Sequence, residues 1–199
     1  MSFYLALYLF CISTTITPGP NNFMIMMSTL TFGIKKSLPH FFGICLGFTL
    51  MVLCIGFGLS SLFTDYPEIH WVIKILGAAY MLFLAVKIMS SSSHTSGKKT
   101  AKPLTFFQAA LFQWVNPKAW MMSVGVIATY TSTQMQMSMT TQVLIIAIIY
   151  LTSTLPCTGT WLIGGHFFKK MLKNNQQVRI FNLVLGCLLI ASIILMLFE

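Results

Sequence analysis

Two short stretches of this 199-residue sequence place helix breakers and polar side chains inside otherwise apolar runs. The first is Thr17-Pro18-Gly19-Pro20-Asn21-Asn22, about halfway along an apolar run over residues 3–32; the second is Asn116-Pro117-Lys118, within a run over 104–130. Pro18 and Pro20 remove backbone donors and clash with the preceding turn, and Gly19 adds freedom, so the first run reads as two half-helices. Asn21 or Asn22 is expected to cap the second half-helix, and Asn116 to cap the one that starts at Pro117. Each such start aims unpaired N–H groups and a positive dipole end into the middle of the run, where an anionic group would be stabilised. A proline kink satisfied by neighbouring helices is the plainer reading of either break alone. The coincidence of the two is the informative signal.

Lys118 adds to it, because a cation among apolar residues is costly and in the first turn of a helix opposes the dipole. It needs an anionic or carbonyl partner. The three acids, Asp65, Glu68 and Glu199, fall between runs or at the C-terminus, so the partner is either a ligand carboxylate or the carbonyls freed by the first break.

The elements that position these residues follow from composition. With 56% hydrophobic and 8% charged residues, the chain cannot hide its apolar surface inside one water-soluble domain. Apolar runs over residues 3–32, 39–63, 69–89, 104–130, 140–168 and 178–198 each reach the roughly 20 residues of a spanning helix. The expected fold class is therefore all-α: a polytopic membrane protein of six transmembrane helices, with helices 1 and 4 broken. The small, polar and basic stretch 90–103 reads as a cytoplasmic linker between a first three-helix repeat (1–89) and a second (104–199). Three spans per half make the repeats inverted, and broken first spans are what an inverted-repeat transporter uses to build a midplane site.

Charge sets the orientation. Lys35, Lys36, Lys87, Lys98, Lys99, Lys102, Lys169, Lys170, Lys173 and Arg179 follow spans 1, 3 and 5, which places those connections inside and both termini outside. Lys118 lies within span 4, and Lys74 lies near the outer end of span 3, where it can snorkel toward Asp65 or Glu68. The net charge of +9 does not indicate nucleic-acid binding, since the bases alternate with apolar spans instead of clustering on a folded face. Cys11, Cys45, Cys54, Cys157 and Cys187 lie in apolar runs without CxxC spacing and read as small buried hydrophobes, so neither a metal nor another cofactor is expected. Gly43 and Gly47 form a GxxxG pair suited to close helix packing, compatible with a homodimer. Pro156, Gly159, Gly164 and Gly165 suggest a kinked element in span 5. His40 and His166 near the inner interface could take up protons. No triad, P-loop or HExxH is present, so an enzyme is not expected.

Along nearly its whole length the chain resembles the LysE/RhtB family of bacterial amino-acid exporters. The resemblance is carried by Thr17-Pro18-Gly19-Pro20-Asn21-Asn22, Gly77-Ala78-Ala79-Tyr80, Ala101-Lys102-Pro103 and Asn116-Pro117-Lys118-Ala119. The branch exporting cysteine and O-acetylserine looks similar in TPGPNN and in Phe112-Gln113-Trp114-Val115-Asn116, and threonine and homoserine exporters share much of the pattern. The resemblance implies export of a small neutral amino acid or derivative across the bacterial inner membrane, driven by the proton gradient. Alternating access would then work around a substrate site of Asn21, Asn22, Asn116 and Lys118, shaped by Pro18, Gly19, Pro20 and Pro117. A competing expectation is a membrane thiol-disulfide electron carrier, with Cys157 paired to Cys45 or Cys54.

Overall fold

The protein is seen as a computed structural model that describes residues 3–59, 67–90, 102–172 and 174–198. Most of the 90–103 linker, the loop acid Asp65 and the side chains of Lys74 and Glu68 lie outside the described residues. The described residues contain helices and no strand. In chain order the helices are α1 (Phe3–Ile16), α2 (Pro20–Phe32), α3 (Ile34–Cys54), α4 (Pro67–Met89), α5 (Phe106–Phe112), α6 (Pro117–Tyr130), α7 (Met139–Met171) and α8 (Asn175–Phe198). A π-helical turn, Ile55–Leu59, extends α3, and a 3-10 turn, Gln113–Val115, links α5 to α6.

These bounds follow the six apolar runs, with the first and fourth each divided in two. Helix α1 has 14 residues and α2 has 13, so neither half reaches the roughly 30 Å hydrocarbon core alone at 1.5 Å per residue. Among the described residues two helices, α3 with its π turn (Ile34–Gly58) and α7 (Met139–Met171), are long and apolar enough to cross a membrane. Helix α3 begins directly after Gly33, whose φ of 84° turns the chain between α2 and α3. Lys35 and Lys36 therefore sit in the exposed first turn of a helix and not in a loop. Gly58, with φ 119°, ends the π turn in the same way. Helix α7 runs as one 33-residue helix with Pro156 inside it.

Helices α3 and α7 form the centre. Helix α7 packs on α1, α2 and α3, while α3 also packs on α5, and α4 pairs with α8. One apolar cluster joins Leu7 and Cys11 of α1 to Phe48 and Met51 of α3, Trp120 and Val126 of α6, and Ile146 and Tyr150 of α7. Outward faces are as apolar as the interior. Phe42, Leu46 and Leu50 repeat every turn on α3, Ile75, Leu76, Leu82, Phe83 and Val86 face out from α4, and Ile180, Val184 and Leu188 do so from α8. A continuous apolar surface of this extent is stable against lipid and not against water.

The GxxxG pair is used within the chain. A methyl group on Gly43 would overlap the Phe106 carbonyl oxygen, and one on Gly47 would sit 2.5 Å from Ala110 Cα, so α5 lies directly on this stripe. The stripe is thus spent internally and leaves no surface for a homodimer at this place. Gly77 of the GAAY stretch gives the same close approach to the second break, 2.6 Å from Pro117 Cδ and 2.8 Å from the Val115 carbonyl.

Close packing at Gly47 is a testable requirement. Gly47→Ala forces α5 away from α3 and should cost at least the ~1–3 kcal/mol typical of overpacking, seen as a fall in the thermal midpoint of the detergent-purified protein. Gly164→Ala, with open space around the new methyl, should leave that midpoint unchanged.

Candidate functional site

The site is built from the backbone groups that the two breaks set free. The last turn of α1 leaves carbonyls without helical partners. Each is met by a named side chain. Thr14 O accepts from Thr17 Oγ1 at 2.8 Å, Thr15 O from Asn22 Nδ2 at 2.8 Å, and Ile16 O from Trp161 Nε1 at 3.1 Å. Thr17 O accepts from both Asn22 Nδ2 at 2.9 Å and Lys118 Nζ at 2.9 Å. Lys118 Nζ also donates to Thr17 Oγ1 at 2.7 Å and to Pro18 O at 3.1 Å.

Lys118 is thereby explained. An ammonium carries three donors, and all three are taken by Thr17 and Pro18. At the second position of α6 its charge opposes that helix's dipole, but the amine reaches to the negative C-terminal end of α1, where a cation is favoured. Of the two partners the sequence left open, the freed carbonyls are the ones in contact. Gly19 owes its presence to this contact. Its φ of 177° is extended backbone open to any residue, but an added methyl would meet Lys118 Cδ at 3.0 Å and Nζ at 3.1 Å.

The asparagines do not act as the caps expected of them. Helix α2 starts at Pro20 with Gly19 in the cap position and no side-chain cap, so Asn21 and Asn22 lie in its first turn. Asn22 is buried and turns back to the α1 carbonyls. Asn21 reaches across to the other break: its Nδ2 donates to Gln113 Oε1 at 2.7 Å, and Gln113 Nε2 donates to Asn21 Oδ1 at 3.1 Å. Gln113, fully buried, also donates to Ala109 O at 2.9 Å. Asn116 does occupy the cap position of α6, but its side chain makes no cap hydrogen bond, and its buried Oδ1 has no partner among the described residues.

The two breaks are therefore braced reciprocally. In each, proline holds the first helical position, Pro20 in α2 and Pro117 in α6, and its missing N–H is one that needs no partner there. In each, the next residue, Asn21 or Lys118, bonds to the segment just before the opposite break. In each, an indole closes a freed carbonyl: Trp161 on Ile16, and Trp120 Nε1 on Trp114 O at 2.9 Å.

A cavity of about 380 Å³, counting its opening to solvent, lies between the breaks. The structure brings Asn21, Asn22, Asn116 and Lys118 together on its wall, with Gly19 and Pro20 beside them. Pro18 contributes a carbonyl to Lys118, and Pro117 packs behind against Gly77. The rest of the wall is a polar set, Thr14, Thr15, Thr154 and Thr158, and an apolar set, Ile44, Phe48, Ala119 and Met122. Sequence reasoning missed Gln113, Trp161 and all four threonines. Lone polar residues in apolar runs were the available signal, but only their convergence from α1 and α7 on one cavity distinguishes these threonines from the others in the apolar runs. The side chains of the three acids lie outside the described residues, and no cluster of metal-ligating side chains occurs among the described residues.

All five cysteines are free thiols, and the polar contact of Cys157 is the Ile12 carbonyl of α1, at 4.0 Å, and not Cys45 or Cys54 of α3.

Residues 12–197 match the LysE type translocator family. The chain is similar to the cysteine/O-acetylserine efflux protein of Escherichia coli O157:H7, 33% identical over 190 residues that cover 93% of this chain and 92% of that protein. The proteins of the same name from Escherichia coli O139:H28 (strain E24377A / ETEC) and Escherichia coli (strain K12) are 32% and 31% identical, with the same shares covered. No solved structure matches the chain.

The amide pair between the breaks can be measured. Asn21→Leu strands the buried Gln113 and Gln113→Leu strands the half-buried Asn21, and each should lower stability by about 1–3 kcal/mol. Together they should cost clearly less than the sum, and additive losses in a double-mutant cycle would disprove the coupling.

Proposed function

The chain belongs to the LysE type translocator family, and from that premise we propose that it exports small neutral amino acids or their derivatives, of the cysteine, O-acetylserine, threonine or homoserine class, across the bacterial inner membrane. It is a transporter and not an enzyme. The observation that carries the reading is the cavity between two reciprocally braced breaks, with half-helix N-termini and Lys118 on one wall.

A zwitterionic substrate fits the charge of this wall. Its carboxylate would take the place of the Thr17 and Pro18 oxygens on Lys118, next to the positive ends of α2 and α6. The Lys118 cation on the wall disfavours a second positive charge, so lysine and arginine are poor cargo. Ile44, Phe48 and Met122 limit the side chain to a small one.

Alternating access follows from the same arrangement. Residues 1–89 and 104–199 act as inverted three-helix halves, with α3 and α7 in corresponding positions and 90–103 as the cytoplasmic connection. Substrate carboxylate binding would release Lys118 from the α1 end and loosen the brace, letting one half rock against the other. Both termini are periplasmic in this scheme, consistent with ten basic residues on the opposite side. His40 is a candidate proton carrier: it is buried on α3, one turn from the cavity residue Ile44, and its Nδ1 has no partner among the described residues.

Inverted membrane vesicles supplied with labelled amino acids in the outer medium test the reading. Small neutral amino acids should accumulate when a proton gradient is imposed, and lysine, arginine and aspartate should not. Lys118→Ala should lower transport about 10- to 100-fold at equal membrane abundance, as expected for loss of a charged hydrogen-bond partner of the substrate. Wild-type rates from this variant would remove Lys118 from the transport cycle.

A further inference from the structure

Most hydroxyls described in these helices bond to a carbonyl of their own helix. Thr14 does so to Phe10 O, Thr49 to Cys45 O, Ser123 to Ala119 O, Thr152 to Ile148 O and Thr160 to Cys157 O. Thr15 and Thr154 do not. Their Oγ1 atoms are buried and have no partner among the described residues, and the same is true of Asn116 Oδ1. Thr15 is 8% exposed, and Thr154 and Asn116 are each 2% exposed. All three residues line the one cavity between the breaks, and they reach it from different elements: the last turn of α1, the middle of α7 and the cap position of α6.

A buried oxygen without a partner is costly in a membrane interior, and three on one wall mark a place for a group that donates. The rest of the wall sorts the chemistry. Lys118 and the starts of α2 and α6 are donors and suit an anion. Ile44, Phe48 and Met122 are apolar. The three oxygens are all neutral, so they can hold a group with several N–H donors without adding a charge that the site must compensate when empty.

We propose that Thr15, Asn116 and Thr154 form the subsite that receives the α-ammonium of the cargo, three oxygen acceptors for a group with three N–H donors and no acceptor. This rests on the export reading above and deepens it. Selection is its consequence. The amine must be free and protonated: acylation at nitrogen removes the charge and two donors, while acylation at a side-chain oxygen leaves the group intact. The transporter therefore accepts O-acylated amino acids and rejects their N-acylated isomers, which have the same mass and atoms.

The test uses the full-length protein in inverted vesicles, with labelled serine and cysteine as cargo and O-acetylserine and N-acetylserine as competitors. O-acetylserine should compete, and N-acetylserine should compete at least about tenfold more weakly. Thr15→Val and Thr154→Val, which keep shape and remove the hydroxyl, should each raise the half-saturating cargo concentration about tenfold with unchanged membrane abundance. Thr15→Ser and Thr154→Ser should restore wild-type half-saturation. Thr152→Val, whose hydroxyl is bonded to its own helix, should have no effect. Equal competition by N-acetylserine and O-acetylserine, or unchanged half-saturation in both valine variants, overturns the subsite while leaving export intact. Absence of any neutral amino-acid transport by the wild-type protein overturns the export reading, and this subsite with it.

Discussion

The structure depends on one constraint: a helix broken inside a membrane must find partners for every backbone group that the break sets free. Water would satisfy them at a surface, but lipid does not. Here the carbonyls of Thr14, Thr15, Ile16, Thr17 and Pro18 are met in turn by Thr17, Asn22, Trp161 and Lys118. Those donors come from three separate elements, so the break in the first run holds together only in the presence of α6 and α7. The second break depends on the first in return, through Asn21 and Gln113.

This mutual dependence explains why the breaks and the cavity occur at the same place. Half-helix ends cannot pack as closely as unbroken helices, so the space between them remains, lined by the groups that stabilise them. Glycines elsewhere bring the surrounding helices tightly around it. Gly43 and Gly47 seat α5 on α3, Gly77 seats α4 on the second break, and Gly165 brings α7 against the Met26 carbonyl of α2. The outer helices α4 and α8 mainly present apolar side chains to lipid, while the polar chemistry is confined to the centre. Lys118 shows the economy of the arrangement. The same cation that would be a liability in the first turn of α6 is stabilised at the far end of α1, and it stays within reach of a cavity that could hold a carboxylate.

Much of this was legible in the residues. Pro18, Pro20 and Pro117 locate the breaks because proline lacks the N–H that a continuous helix needs. The six apolar runs match the helices closely, since period and composition alone decide what can lie in lipid. The role of Asn21 and Asn22 was misread because capping is a local rule. Asparagine at a helix start predicts a bond to its own backbone, and nothing local announces that Gln113, 92 residues away, competes for it. Gly43 and Gly47 read correctly as a close-packing pair, but sequence cannot tell whether the helix that fills the groove belongs to the same chain.

The sequence by itself determined the solvent, the helices, the two breaks and the presence of a cation and several amides near them. These are properties of composition and of single-residue backbone chemistry, and they survive any arrangement of the helices. Tertiary structure decided which groups meet: that Lys118 bonds the α1 carbonyls, that Asn21 and Gln113 join the breaks, and that Thr15, Asn116 and Thr154 bring unpartnered oxygens to one wall. Hydrogen bonds act over about 3 Å, while these residues are separated by up to 139 positions between Thr15 and Thr154. Only the packing of α1, α6 and α7 around one cavity brings them to a common wall.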